Sequence, residues 1–156
     1  MNHAVPFLWR FHAVHHCDES MDVTTAARFH FLEIATGGVL RLPLLFVIGV
    51  SPPTLLAYET TLLLVSMLHH STISFGGYDR WLRILIATPR MHSIHHSRDP
   101  RHFGTNFSSV FSVWDRLFAT HQLTERPISH GLAGRDEQSL AQLMKMPFAR
   151  ESDRVD

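Results

Sequence analysis

The sequence predicts an all-α integral membrane protein. Three observations carry that prediction: two histidine clusters at helical spacing, a long apolar stretch between them broken by one turn, and arginines gathered on the flanks of that stretch. The clusters are His12, His15 and His16 in Phe-His-Ala-Val-His-His, and His92, His95 and His96 in Thr-Pro-Arg-Met-His-Ser-Ile-His-His-Ser. Spacing of i, i+3 and i+4 gathers three imidazoles within an arc of roughly 100° on one helix face. Converging neutral imidazoles make a metal site, because each offers a nitrogen lone pair and no charge that must first be removed. Each cluster is therefore expected to present three nitrogens to a common centre. The plain alternative is surface histidines on amphipathic helices, and the repetition of the pattern argues against it.

Composition narrows the class. A chain of 156 residues makes about one domain. Formal net charge is zero and the pI is near 7.3, so nothing electrostatic points to nucleic acid. Histidine is the anomaly, with 13 residues. Cys17 is the single cysteine, which leaves no disulfide framework and no cysteine-based zinc or iron–sulfur site; it is expected to be a packing residue. The N-terminus lacks the basic start and apolar run of a signal peptide.

Pro6 suits the first turn of a helix running through Leu8, Phe11, Val14 and His15. Asp18–Asp22 is a polar break, and Asp22 caps a second expected helix over Thr24–Phe31. Two apolar helices follow, roughly residues 33–49 and 54–69, joined by the uncharged turn Gly49-Val50-Ser51-Pro52-Pro53. Each arm is somewhat short of the ~20 residues that span a bilayer, and Glu33, Arg41 and Glu59 lie in or beside them, so a buried hairpin of a soluble bundle is the competing reading. Leu42–Val50 and Leu62–Leu68 are nearly pure Leu, Val, Ile, Phe and Met, which favours the membrane. Arg10, Arg28, Arg80, Arg83 and Arg90 beyond the hairpin put both histidine clusters on the cytoplasmic side of a multi-pass protein. Tyr78–Ile86 is an arginine-dotted amphipathic stretch suited to a membrane surface. Asn106–Thr120 offers a helix-like stripe of Phe107, Phe111, Trp114, Leu117 and Phe118, expected to pack internally. The tail is polar, with one short amphipathic segment at Ser139–Met146.

Two His-x-x-His-His clusters flanking an apolar hairpin, with His70 between them, resemble the fatty acid hydroxylase / sterol desaturase superfamily of membrane-bound di-iron oxygenases. The likeness rests on Leu-Trp-Arg-Phe-His-Ala-Val-His-His at 8–16, Met-Asp at 21–22, Arg-Phe-His at 28–30 followed by Glu33, the run at 88–97, and Trp-Asp-Arg-Leu-Phe at 114–118. It implies a catalytic core over residues 1–122 and a separate polar tail over 123–156. It also implies two metal ions held by His3, His12, His15, His16, His70, His92, His95 and His96. The metal would be iron, with zinc a possible substitute, and O2 the cosubstrate. Partners would be a membrane-resident lipid and an external electron donor such as a reductase, cytochrome or ferredoxin, with no nucleic acid. The reaction would be hydroxylation or desaturation of a fatty acyl chain or sterol-like lipid.

His30 is a further candidate beside the metals, whereas His69, His102, His121 and His130 are expected to be surface or structural. Asp18, Asp22, Asp99 and Asp115 are expected to orient ligand rings or guide partners rather than bind metal. Thr72, Ser108 and Ala119 stand where the family commonly has Asn, Gly and Gly. Only His3 remains of the family's first box, His-x-x-x-His, so Met1 is expected not to be the natural start; a His and an Arg would directly precede it. Two rivals remain at this point: a haem-carrying electron-transfer subunit, and an inactive remnant that still binds metal.

Overall fold

A computed structural model describes residues 2–125, 128–135 and 138–149, and over these the protein is helical, with a lone antiparallel bridge between Ser97 and His130. The elements in order are α1 (Pro6–His16), α2 (Phe31–Ile48), α3 (Pro52–His70), α4 (Asp79–Leu85), α5 (Pro89–His95), α6 (Val113–Leu117) and α7 (Leu140–Lys145). Pro6 occupies the first turn of α1, as its fixed φ favours.

The expected helix over Thr24–Phe31 is instead a five-residue 3-10 turn, Val23–Ala27. Local hydrogen bonding wins there. Asp22 caps it by accepting from the Thr24 and Thr25 side of the turn, and the buried Thr25 hydroxyl donates to Asp18 at 2.6 Å. The expected helix over Asn106–Thr120 likewise shrinks to Val113–Leu117. Asn106 sits at φ 50, outside helical space, with its side-chain amide donating to Met91 O and Gln122 O and its carbonyl accepting from Gln122 N. Asp115 then accepts from the backbone N–H of Phe107 at 2.7 Å and of Ser108 at 3.1 Å, holding that loop open.

The hairpin forms close to the expected bounds. His30 caps α2 by accepting from Leu32 N, and α2 ends on Gly49 at φ 79, the left-handed conformation that glycine adopts without a Cβ clash. No residue of α2 is buried; Phe46 is 86% and Val47 81% exposed. Phe31–Ile48 is long and apolar enough to cross a membrane, with mean hydropathy 1.8, and at 1.5 Å per residue it is about 27 Å long, close to a hydrocarbon core. Among the described residues it is the single helix that meets that standard; α3 is as long but carries Glu59, Thr60 and Thr61 midway. The expected pair of membrane arms therefore reduces, by length and composition, to one candidate span. Arg41 and Glu59 pair across the hairpin at 2.7 Å, so the two charges farthest from its open end are matched, while the third, Glu33, stands in the first turn of α2.

Below the hairpin, α5 lies at the centre, with Met91 and Ile94 fully enclosed. The remaining apolar cluster is small: Ala13 and Val14 of α1 and Cys17, which caps it, against Leu143 and Met146. Cys17 is thus a packing residue, and the tail segment Leu140–Phe148 is folded onto α1.

Candidate metal centre

All eight histidines come together, but not as two triplets. Ring nitrogens of His3, His12, His16 and His95 lie within 4.8 Å of one another, and so do those of His15, His70, His92 and His96. Helix geometry explains the division. At 100° per residue, i and i+4 point 40° apart, while i+3 lies about 60° to the other side of i. In α1 the pair His12/His16 therefore goes to the first group and His15 to the second. In α5, with His96 as its C-terminal cap, the pair His92/His96 goes to the second and His95 to the first. Each group is two imidazoles from one helix, one from the other, and a fourth from outside: His3 before α1, or His70 ending α3. The expectation that each cluster serves a common centre is corrected accordingly. The groups abut, with the rings of His16 and His96 stacked at 4.2 Å.

Several rings are set by what lies behind them. The Nδ1–H of His70 donates to Ser66 O and that of His95 to Thr105 O, each at 2.7 Å. A backbone carbonyl only accepts, so both rings carry the proton on Nδ1 and leave the Nε2 lone pair facing inward. His12 does the same with a carboxylate, donating from Nδ1 to Glu33 Oε1 at 2.7 Å. His15 is held by stacking on Phe29 at 4.5 Å.

Inside the groups, His12 Nε2 is 3.1 Å from His3 Nε2, and His70 Nε2 is 3.1 Å from His15 Nε2 and 3.0 Å from His92 Nε2. Imidazoles about 2.1 Å from a shared cation would sit at similar separations. Among the buried nitrogens without a hydrogen-bond partner are His16 Nε2 and both nitrogens of His96, whose neutral ring leaves one of its two nitrogens free to bind a cation. Burial and the charges of neighbouring imidazoles hold His15, His16, His92 and His96 well below the ordinary histidine value, and His95 is lowered to about 4, mainly by burial. Neutral rings with inward lone pairs are the state a divalent cation requires.

The remaining candidates fall elsewhere. His30 lies in neither group: its Nδ1 caps α2 and its Nε2–H donates to Met144 O at 3.2 Å. Asp18 pairs with Arg28, Asp22 caps the 3-10 turn, Asp99 pairs with Arg101 and Asp115 braces the 106–108 loop. Among the described residues, no hydrogen bond or ion pair joins any of the four to a ring of the two groups. The carboxylate hydrogen-bonded to such a ring is Glu33, which the family likeness names after Arg-Phe-His without giving it a role. His69, expected to be surface or structural, is 3% exposed and stacks on His92 at 3.9 Å. His102 is buried against the Ser97 hydroxyl and His130 bonds the Ser93 hydroxyl, both structural contacts.

A cavity of about 660 Å³ opens on the histidines, walled by Phe29, Phe107, Trp114 and Phe118. The stripe at 107–118 therefore does not pack internally: Trp114 is 53% and Phe118 70% exposed, and both edge this cavity. Aromatic spacing identified the stripe but not which side of it faces protein.

A family model for fatty acid hydroxylase matches residues 1–120. The chain belongs to the fatty acid hydroxylase family. Its relatives include an ornithine lipid hydroxylase from Rhizobium tropici, 30% identical over 152 residues that cover 92% of this chain and 44% of the relative. Human alkylglycerol monooxygenase is 30% identical over 134 residues, covering 85% of this chain and 29% of that protein. Human cholesterol 25-hydroxylase is 26% identical over 138 residues, 81% and 46%. The chain thus spans less than half the length of these relatives. No solved structure matches it.

Within the family pattern, two departures acquire a structural reading. Ala119, where members commonly carry Gly, sits at φ 57, a conformation that suits Gly. Ser108 uses its hydroxyl to accept from Asp115 N at 3.2 Å, a contact Gly lacks.

Proposed function

We propose that this fatty acid hydroxylase family chain is the metal-binding core of an enzyme that oxidises a lipid C–H bond with O2. The observation that carries the reading is the pair of four-imidazole groups with neutral, inward-facing nitrogens beside an aromatic cavity. His3, His12, His16 and His95 would hold one ion, and His15, His70, His92 and His96 the other. Two iron ions, once bound, would supply O2 activation: one lipid C–H becomes C–OH and the second oxygen leaves as water, or two adjacent C–H bonds become C=C and both oxygens leave as water, with two protons taken up and two electrons provided by a reductase, cytochrome or ferredoxin. Zinc fits the same nitrogens and would occupy them without redox chemistry.

The chain's own part is to fix the imidazole tautomers through Ser66, Thr105 and Glu33, to keep His15, His16, His92, His95 and His96 unprotonated by burial, and to wall an apolar space. Phe29, Phe107, Trp114 and Phe118 suit an acyl or sterol body, and the polar end of such a lipid suits the open rim. The span Phe31–Ile48, with α3 as its return arm, would enter the bilayer, and the arginine flanks favour the cytoplasmic side for the histidine body. Haem is a poor occupant of either group, since ring nitrogens 3.0 to 3.1 Å apart within a group leave no slot for a macrocycle between them.

Lipid extracts from cells expressing the chain with a donor system test the reading by mass spectrometry. A species 16 Da heavier or 2 Da lighter than a host lipid, absent with His96→Ala, is expected. Unchanged lipids from a metal-loaded protein favour the inactive remnant instead. Recovery of the protein wholly in the soluble fraction after gentle lysis contradicts the membrane part.

A further inference from the structure

Behind the two histidine groups, the supporting contacts are unequal. In the His15/His70/His92/His96 group the hydrogen bond found behind a ring goes to a neutral backbone carbonyl, from His70 to Ser66 O. The other group has a carbonyl behind His95 and, behind His12, the carboxylate of Glu33. Glu33 is fixed in its turn: Oε1 also accepts from Asn2 Nδ2 at 2.8 Å, and its side chain is 13% exposed. Its second oxygen is buried with no partner, so the carboxylate's charge is not spread over other donors. Glu33 also stands in the first turn of α2, where the positive end of the helix dipole favours an anion. A carboxylate behind a ligand imidazole fixes its tautomer and raises its basicity, and losing such a partner typically costs 10–100-fold in metal affinity.

We infer that Glu33 is the positioning residue of one metal site alone: by holding His12 from the base of the lipid-facing helix, it makes the His3/His12/His16/His95 site chemically distinct from its neighbour. This rests on the reading of the eight histidines as two metal sites. Glu33→Gln keeps the shape of the side chain and an oxygen able to accept from His12, while removing the charge. It should weaken one of two bound equivalents by about 10–100-fold and leave the other as it was. Glu33→Asp keeps the charge one methylene back and should recover part of the loss.

The experiment is titration of the detergent-solubilised, metal-free chain with cobalt(II), following visible absorption and the electron paramagnetic resonance of each equivalent. The wild type should take up two equivalents, and Glu33→Gln should show one unaltered signal and one shifted to higher cobalt concentration. Glu59→Gln, which removes the other hairpin carboxylate, is the control and should match the wild type. If Glu33→Gln binds both equivalents like the wild type, or loses both to the same extent, the inference fails while the two-site reading stands. If the wild type itself takes up no cobalt, the two-site reading fails first. Should Glu33→Gln not fold, Glu33→Asp decides: uniform behaviour of both equivalents overturns the inference, and weakening of one supports it.

Discussion

Asp115 is the test of how the cavity wall is built. It is 1% exposed and accepts from Phe107 N at 2.7 Å, Ser108 N at 3.1 Å and the Thr120 hydroxyl at 2.7 Å. Asp115→Ala strands those donors. An orphaned buried donor costs about 1–3 kcal/mol, but the Thr120 hydroxyl can turn elsewhere and Phe107 is partly exposed, so roughly 3 kcal/mol in all is expected. For a chain of this size that corresponds to a fall in Tm of about 6–12 °C. Asp115→Asn should cost less, since it keeps one acceptor while turning an NH2 toward a backbone N–H. Thermal unfolding of the purified protein in detergent, read by circular dichroism, measures both. A loss below about 1 kcal/mol for Asp115→Ala would show that the 106–108 loop is held by something other than this carboxylate, and the account of the cavity wall would be wrong.

Two more outcomes follow from particular positions. Ala119→Gly removes a Cβ from a left-handed residue at φ 57 and should stabilise the protein by about 1 kcal/mol, seen as a higher Tm; a lower Tm would show that the position is unstrained. The metal-free protein should weaken as pH falls below about 6.5, because the unfolded chain then binds protons that the buried His15, His16, His92 and His96 do not, each group contributing up to about 1.4 kcal/mol per pH unit. Urea midpoints at pH 7.5 and 5.5 check this, and equal midpoints contradict the burial argument.

Much of the site was legible in the chain. The His-x-x-His-His spacing named six of the eight grouped rings, and the family likeness supplied His3 and His70. The hairpin was legible too, because Gly49 and the Ser51-Pro52-Pro53 turn punctuate an otherwise apolar run. What spacing did not give was the partition of each cluster between two centres, although the 40° and 60° offsets contain it once two helices are set face to face. Glu33 was named by the family likeness, but its role was not legible: a carboxylate at the edge of an apolar helix reads as a boundary mark, and only the approach of α1 brings it to His12. The 107–118 stripe misled because five aromatic and apolar residues at helical spacing promise a packed helix, whereas Asn106 and Asp115 tie most of that stretch into a loop whose rings edge a cavity. The helix over Thr24–Phe31 failed on the same ground, with Asp22 and Thr25 bonding locally in place of the helix ladder.

The central claim is that the eight histidines form two separate four-imidazole sites, each drawing on both helices. Metal content of protein expressed with adequate iron, measured by elemental analysis in the wild type, His95→Ala, His96→Ala and the double variant, tests it most directly. Adjacent in sequence, His95 and His96 belong to different groups. The account predicts two metal equivalents per chain in the wild type, about one in each single variant and close to none in the double. Full loading of both single variants, or no transition metal in the wild type, would contradict it.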